Sequence, residues 1–326
     1  MASAPEAPSG LASRIEKNWY GSALGNLWLL PLWVLFALIS RLRRWYYYLV
    51  PAQANTVPVL VVGNLAIGGT GKTPLITLLS ELATRQNIRI GVVSRGYGGK
   101  SEVYPLTVDA DTPVAECGDE PALLAGRGID VVVDPKRSRA VDALAGKVDL
   151  VLADDGLQHY AMARDAEIVI SDVTRGFGNG WLLPVGPLRE PVSRLKSIDL
   201  HLVNGKDFSI AAESLVLAGR DLNLAELKGM KLHAVAGIGN PQRFFTTLRS
   251  LGADIIEHPF PDHHAFQAAD ITFNDDLPVV MTEKDWVKCK NFHLPRTGFL
   301  QVTAKPTAAT EQKLIHLIST LVKHHG

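Results

Sequence analysis

Val57-Pro58-Val59-Leu60-Val61-Val62-Gly63 runs straight into Asn64-Leu65-Ala66-Ile67-Gly68-Gly69-Thr70-Gly71-Lys72-Thr73-Pro74. The first seven residues are apolar and mostly β-branched, the composition of a strand buried on both faces of a parallel sheet. A helical pattern follows to about Arg85. Strand, glycine-rich loop, Gly-Lys-Thr and helix, in this order, form the context of a phosphate-binding loop. Its glycines, here Gly68, Gly69 and Gly71 around Thr70, let backbone N–H groups turn inward around phosphate oxygens. Lys72 would meet the β- and γ-phosphates of a nucleotide and the Thr73 hydroxyl would meet Mg²⁺. The helix N-terminus adds partial positive charge. Ala66 stands where such loops usually have their first glycine, and a plain glycine-rich turn is the competing reading.

Working outward, further buried runs recur at Ile88–Val93, Ile129–Val133, Leu150–Ala153, Glu167–Ile170 and Leu200–Val203. Helical stretches such as Pro121–Ala125 and Lys136–Ala145 separate several of them. This alternation predicts an α/β fold, a mostly parallel sheet with helices on both faces. Ligands then gather beyond the carboxyl ends of the strands. The polar clusters fall there. Leu150–Ala153 closes on Asp154-Asp155-Gly156-Leu157-Gln158-His159, a rigid base for a Mg²⁺-holding carboxylate. Adjacent aspartates point in different directions, so one of the two is expected at the metal; a polar turn is the alternative. Gly118-Asp119-Glu120-Pro121 precedes a helical run, where acids also favour the helix N-terminus. Arg189-Glu190 ends a Pro/Gly-rich loop too irregular for core. Asp262-His263-His264 follows a short strand at Asp254–Glu257. Without a spaced partner His or Cys it does not read as zinc, and a loop histidine acting with a carboxylate is preferred. Thr282-Glu283-Lys284-Asp285 reads as a capped helix start and Asn204-Gly205-Lys206-Asp207 as a turn. Neither has the order of a guanine-reading loop, which disfavours a GTPase.

The remaining 3.6-period and strand patterns place a second, smaller α/β domain from about Gly229, with Leu232–Ala236, a helix from Gln242 to Leu251 and Pro278–Thr282. The expected domains are 1–50, a membrane-associated helical segment; 51–228, a P-loop domain; and 229–326, completing the cleft. Residues 1–13, rich in Ala, Ser and Pro, read as loose chain. Asn18–Ser40 holds no charged residue, and its apolar centre Leu27–Ile39 is interrupted by Pro31. About 20 apolar residues cross a bilayer. Arg41, Arg43, Arg44 and Tyr46–Tyr48 follow, and four of the six tryptophans lie within residues 19–45, a mix suited to the headgroup layer. A helix lying in the interface or spanning once is preferred over a buried helix hairpin. A secretory signal is disfavoured, since no small-residue cleavage site precedes Arg41. If the helix spans, the positive-inside rule puts everything after Arg41 in the cytoplasm. Lys+Arg and Asp+Glu are 33 each, so no basic excess points to nucleic acid. Two cysteines, Cys117 and Cys289, cannot make a disulfide framework.

Taken together these residues resemble the tetraacyldisaccharide 4'-kinases, the lipid A 4'-kinases of Gram-negative bacteria. The likeness runs from Ile15-Glu16-Lys17 with Trp19, through Gly63-Asn64-Leu65, Gly68–Thr73, Ser94-Arg95-Gly96-Tyr97-Gly98, Gly118–Pro121 and Asp154–His159. It continues through Phe177–Trp181, Gly186–Glu190 and Asp262-His263 to Thr282–Asp285. Trp286 stands where the family more usually has a small residue. The resemblance implies ATP-dependent phosphorylation of the 4'-hydroxyl of a tetraacylated glucosamine disaccharide 1-phosphate. It implies ATP and Mg²⁺ as cofactors, work at the cytoplasmic face of the inner membrane, and no protein partner. By position it implies Lys72 and Gly68–Thr73 at the nucleotide; Thr73, Asp154, Asp155 and Glu190 at the metal; and Asp119 with His263 handling the hydroxyl proton. Asn64, Arg95, Tyr97, His159 and Arg189 fall on the substrate side. The alternative is a membrane-associated regulatory P-loop ATPase; a soluble kinase for a small sugar or nucleoside is a further rival.

Overall fold

The computed structural model describes residues 10–325. The reading of residues 1–9 as loose chain therefore lies outside the described residues, while Leu11–Trp19 is already a helix, α1. A 3₁₀ turn, Ala23–Leu29, leads into α2, Leu30–Leu49. Pro31 does not interrupt the apolar run. It sits in the first turn of α2, where its missing N–H has no intrahelical partner to lose.

The strands then enter in order: β1 Val59–Gly63, β2 Ile90–Ser94, β3 Leu106–Val108, β4 Asp130–Val133, β5 Leu150–Asp154, β6 Ala166–Asp172 and β7 Leu200–Asn204. Between them lie α3 Lys72–Thr84, α4 Val114–Cys117, α5 Asp119–Gly126 and α6 Arg137–Leu144. The second half holds β8 Phe208–Leu217, β9 Arg220–Leu222, β10 Lys231–Ala236, α7 Pro241–Ser250, β11 Asp254–Pro259, β12 Val279–Thr282, α8 Glu283–Cys289, β13 Thr297–Pro306 and α9 Ala308–His325.

All the strands belong to one sheet, in the order β11-β10-β12-β13-β8-β7-β6-β1-β5-β2-β4-β3, with β9 paired to β8. Pairing is parallel except at β13–β8, β8–β9 and β3–β4. The joint between the halves is thin: β7 and β8 pair only through Asn204 and Phe208.

Burial explains the topology. β1 lies between β5 and β6 with every residue buried, as its β-branched composition demands. Its side chains alternate. Leu60 and Val62 face a core shared with Leu75, Leu79 and Leu124, whereas Val59 and Val61 face Val141, Leu144 and Leu157. Helix α9 crosses back to the first half and adds Leu314, Ile318 and Leu321 to the former core. In the second half Leu232 and Ala234 of β10 pack on Phe244, Phe245 and Leu248 of α7, and Val235 on Phe266, Ile271 and Met281. Trp286 lies flat against Phe299, ring centres 5.5 Å apart, so the sheet provides a bed for the large side chain.

Helix α2 departs from the rest. None of its residues is buried, which excludes the buried-hairpin reading. With the preceding turn it forms one helical stretch long and apolar enough to cross a membrane. It is tethered through its base: Trp19 Nε1 donates to the Pro184 carbonyl at 2.9 Å, Asn179 N to the Trp19 carbonyl at 2.7 Å, and Trp33 meets the edge of Trp181 at 5.2 Å.

Candidate active site

The glycine loop between β1 and α3 is shaped by backbone conformations that side chains disfavour. Gly68 has φ +123° and Gly71 φ +96°, and a Cβ at Gly71 would stand 2.6 Å from the Ile210 side chain. Asn64, at the end of β1, braces the loop from beneath. Its Nδ2 donates to the Gly68 carbonyl at 3.1 Å, and its Oδ1 accepts from Lys72 Nζ at 3.3 Å. Asn204 Nδ2, from the end of β7, donates to the Thr70 carbonyl at 3.2 Å. The Thr70 hydroxyl is buried without a partner.

Strand β5 delivers the acids. Asp154 is buried, its Oδ1 has no partner, and burial followed by the nearby Glu120 raises its pKa well above the ordinary carboxyl value despite Lys72 and Arg137. Asp155 takes φ +48° and turns the other way. Burial would raise it too, but Lys72 at 3.7 Å and Arg189 at 2.7 Å outweigh that and hold it below the usual range. Asp155 pairs through Oδ2 with Arg189, while its buried Oδ1 has no hydrogen-bond partner and lies 3.7 Å from Lys72. Buried carboxylate oxygens without partners, on Asp154, Asp155 and Glu190, are the hard donors a divalent cation takes, and Thr73 lines the same cleft as the two aspartates, so this set fits Mg²⁺.

Across the cleft, α5 opens with Asp119. The preceding Gly118 has φ +90°, and a Cβ there would lie 2.5 Å from the Tyr97 carbonyl, so the Ser94–Gly99 loop packs backbone to backbone against the start of α5. Asp119 Oδ2 accepts from His263 Nδ1 at 3.1 Å, and Lys288 Nζ lies 3.7 Å from the same oxygen. Lys288 is 2.9 Å from Asp285 Oδ1, and Asp285 Oδ2 accepts from Gly237 N and the Thr282 hydroxyl. Lys284 Nζ approaches His263 Nε2 at 3.5 Å, and Tyr97 meets the His263 ring edge-on at 5.5 Å. The halves are clamped behind this group by a buried bidentate pair, Arg127 with Glu283.

These groups open onto one cleft of about 1470 Å³. Gly68–Thr73, Asp154, Asp155, Asp119 and His263 all line it, as do Arg95, Tyr97, His159 and Arg189. His159 is driven down to about 4, first by burial and then by Arg137, Arg164, Arg43 and Arg95, so its imidazole is neutral at pH 7.

A family model described as Tetraacyldisaccharide-1-P 4'-kinase matches residues 25–322. The chain belongs to that family. A tetraacyldisaccharide 4'-kinase of Hahella chejuensis is 43% identical, over 95% of this chain and 98% of its own. One of Alcanivorax borkumensis is 45% identical, over 93% and 97%. The crystal structure of LpxK from Aquifex aeolicus in complex with ATP superposes with a TM-score of 0.78 at 27% identity, covering 90% of this chain and 98% of that one.

In this tetraacyldisaccharide 4'-kinase family member two residues expected at the site lie behind the cleft wall. Asn64 is fully buried and does not line the cleft. It holds the loop and Lys72, because both ends of its amide are used there. Glu190 is also buried and off the cleft wall. Gln158 Nε2 donates to its Oε1 at 2.9 Å, whereas its Oε2, 3.3 Å from Arg194 Nε, is buried without a hydrogen bond, as Asp154 Oδ1 is. Among the described residues no three His, Cys, Asp or Glu side chains converge as a metal cluster. Conversely, Lys284, Lys288 and Arg127 were not singled out from the sequence. The available signal was spacing: Lys288 lies one helical turn after Asp285.

Proposed function

We propose that this chain transfers the γ-phosphoryl group of ATP to the 4'-hydroxyl of a tetraacylated glucosamine disaccharide 1-phosphate, in lipid A biosynthesis. The observation that carries the reading is that a phosphate loop and an aspartate–histidine pair share one cleft in a chain of this family. Arg95, Tyr97, His159 and Arg189 provide the sugar and phosphate side of that cleft. The division we propose is a membrane segment over 1–50, a nucleotide-binding unit over 51–228 and a unit from 229 that brings His263.

The chemistry follows from the donors present. Phosphoryl transfer has a loose transition state, so positioning and charge neutralisation dominate. The Gly68–Gly71 backbone and Lys72 hold the phosphate chain, and Lys72 exchanges its Asp155 contact for the incoming charge. Thr73 and the acids Asp154, Asp155 and Glu190 would hold Mg²⁺, which when bound would supply further charge neutralisation. Asp119 has both neighbours, His263 and Lys288, on Oδ2. Oδ1 is left to take the hydroxyl proton as the sugar oxygen bonds to the γ-phosphorus and ADP leaves. His263 donates through Nδ1, and the contact of Lys284 with Nε2 fits that tautomer. Such proton transfer is typically worth about 10²–10⁴ in rate.

The acyl chains stay in the bilayer while the sugar meets ATP, and α2 holds the cleft at that boundary. Arg41, Arg43 and Arg44 follow its exposed apolar run, and by the positive-inside rule that supports a catalytic body on the cytoplasmic face. Incubation with labelled ATP and the disaccharide lipid tests the reading. Label appears in the lipid at the 4'-position. Release of labelled inorganic phosphate with unlabelled lipid overturns it in favour of an ATPase.

A further inference from the structure

A second pocket, of about 460 Å³, lies on the far side of the loop that carries the cleft residues. Consecutive residues face opposite ways. Arg43 and His159 line the cleft, whereas Arg44 and Tyr160 line this pocket. Arg44, Tyr47 and Tyr48 stand at i, i+3 and i+4 near the end of α2, so one helix face forms a wall. The facing wall is the 3₁₀ turn Val192–Ser197, with Ser193 and Arg194.

The hydrogen-bond inventory defines the ligand. No carboxylate lines the pocket, and those behind it face Arg164 and Arg194. Glu167 takes Arg194 at 2.5 and 2.6 Å and Arg164 at 2.9 Å, and Glu190 takes Gln158 and Arg194. Arg164 spends its other N–H groups on the carbonyls of Leu157 and His159. What remains without a partner among the described residues is donors: the Arg44 guanidinium, the Tyr47 and Tyr48 phenols and the Ser193 hydroxyl. A cavity with one free cation and several O–H donors suits a compact, acceptor-rich anion. Beside it, Trp45, Leu49 and Val50 expose more than half their surface. The ligand is therefore anionic at one end and apolar at the other.

We propose that this pocket binds the phosphodiester headgroup of an anionic glycerophospholipid of the bilayer, separately from the substrate cleft. The site rests on the membrane attachment proposed above, but its test needs neither ATP nor disaccharide, so the two stand or fall on different measurements. The probe is dihexanoyl phosphatidylglycerol below its micelle concentration, titrated into the full chain in a neutral detergent. One saturable site is expected. Arg44→Gln should weaken it about tenfold, the loss of a charge-assisted contact. Ser193→Tyr, which fills the pocket, should abolish it, and Arg41→Gln, outside the pocket, should leave it within about twofold. Equal losses for Arg41→Gln and Arg44→Gln would mean diffuse surface charge and overturn the proposal. So would equally tight binding of dihexanoyl phosphatidylcholine. Displacement of the phosphatidylglycerol by one equivalent of the disaccharide 1-phosphate would assign the pocket to substrate and overturn it as well.

Discussion

At the residue scale the informative groups are charges that burial makes expensive. His159 is held neutral, with its pKa lowered to about 4 by burial and four arginines. In the unfolded chain the same imidazole titrates near its ordinary value of about 6.5. The folded state thus binds fewer protons, so His159 stabilises fully above that value and the contribution fades as pH falls towards 4. His159→Gln should flatten the fall in Tm between pH 6.5 and 4, measured as the difference from the parent chain; parallel curves would contradict the assignment. Lys288 makes the converse case. It is buried between Asp119 and Asp285, and Lys288→Met strands the fully buried Asp285. Loss of one partner of a buried pair costs about 3 kcal/mol. Thermal unfolding should show it, and turnover should fall because Asp119 loses one of its two anchors. The sequence made Asp119, His263 and the Asp154–Asp155 pair legible because each lies at a strand end or helix start, where local pattern and chemistry coincide. It did not make legible the bracing of the loop by Asn64 or the ion pairs of Lys288. Their roles are fixed by which partner tertiary packing brings to them, and no local pattern encodes that.

At the element scale, the loop–helix junctions place the chemistry. Thr282 caps α8 through Asp285 N, as its sequence suggested, but the cap also aims Lys284 at His263 and Lys288 at Asp119. Helix α5 depends on Gly118, whose φ of +90° and 2.5 Å clearance to the Tyr97 carbonyl exclude a side chain. Gly118→Ala should cost about 1–3 kcal/mol in backbone strain and displace Asp119, its neighbour. A fall in kcat with nucleotide affinity retained is the expected result, since the added Cβ would meet Gly96 and Tyr97 and not the Gly68–Thr73 loop. Equal loss of both would mean that the change spreads through the fold. The strands were readable because buried parallel strands are continuous apolar runs. The position of Pro31 was misleading because the same residue that breaks a helix interior also starts one.

At the scale of the whole molecule, one sheet carries two α/β halves whose strands meet at a single β7–β8 residue pair, with α9 packed into the first core and Arg127 clamped to Glu283. That arrangement puts the loop from one half and His263 from the other on a common cleft. Helix α2 projects from the base with its apolar side chains uncovered; Leu35 and Leu38 are each 53% exposed. Leu35→Glu with Leu38→Glu should leave Tm unchanged and weaken sedimentation with vesicles by at least about tenfold, given the apolar area withdrawn from the bilayer. Unchanged vesicle binding would remove α2 from membrane attachment. The continuity of the sheet across the halves was not legible in the sequence, because strand order depends on long-range pairing and the register of β8 against β13 has no local signature. The central claim is that Asp119 takes the proton in a transfer that the glycine loop positions. Turnover and ATP affinity of Asp119→Asn, measured side by side, test it most directly. The account predicts a kcat lowered by about 10²–10⁴ with ATP affinity within a few-fold of the parent chain; near-normal turnover, or a loss confined to ATP binding, would contradict it.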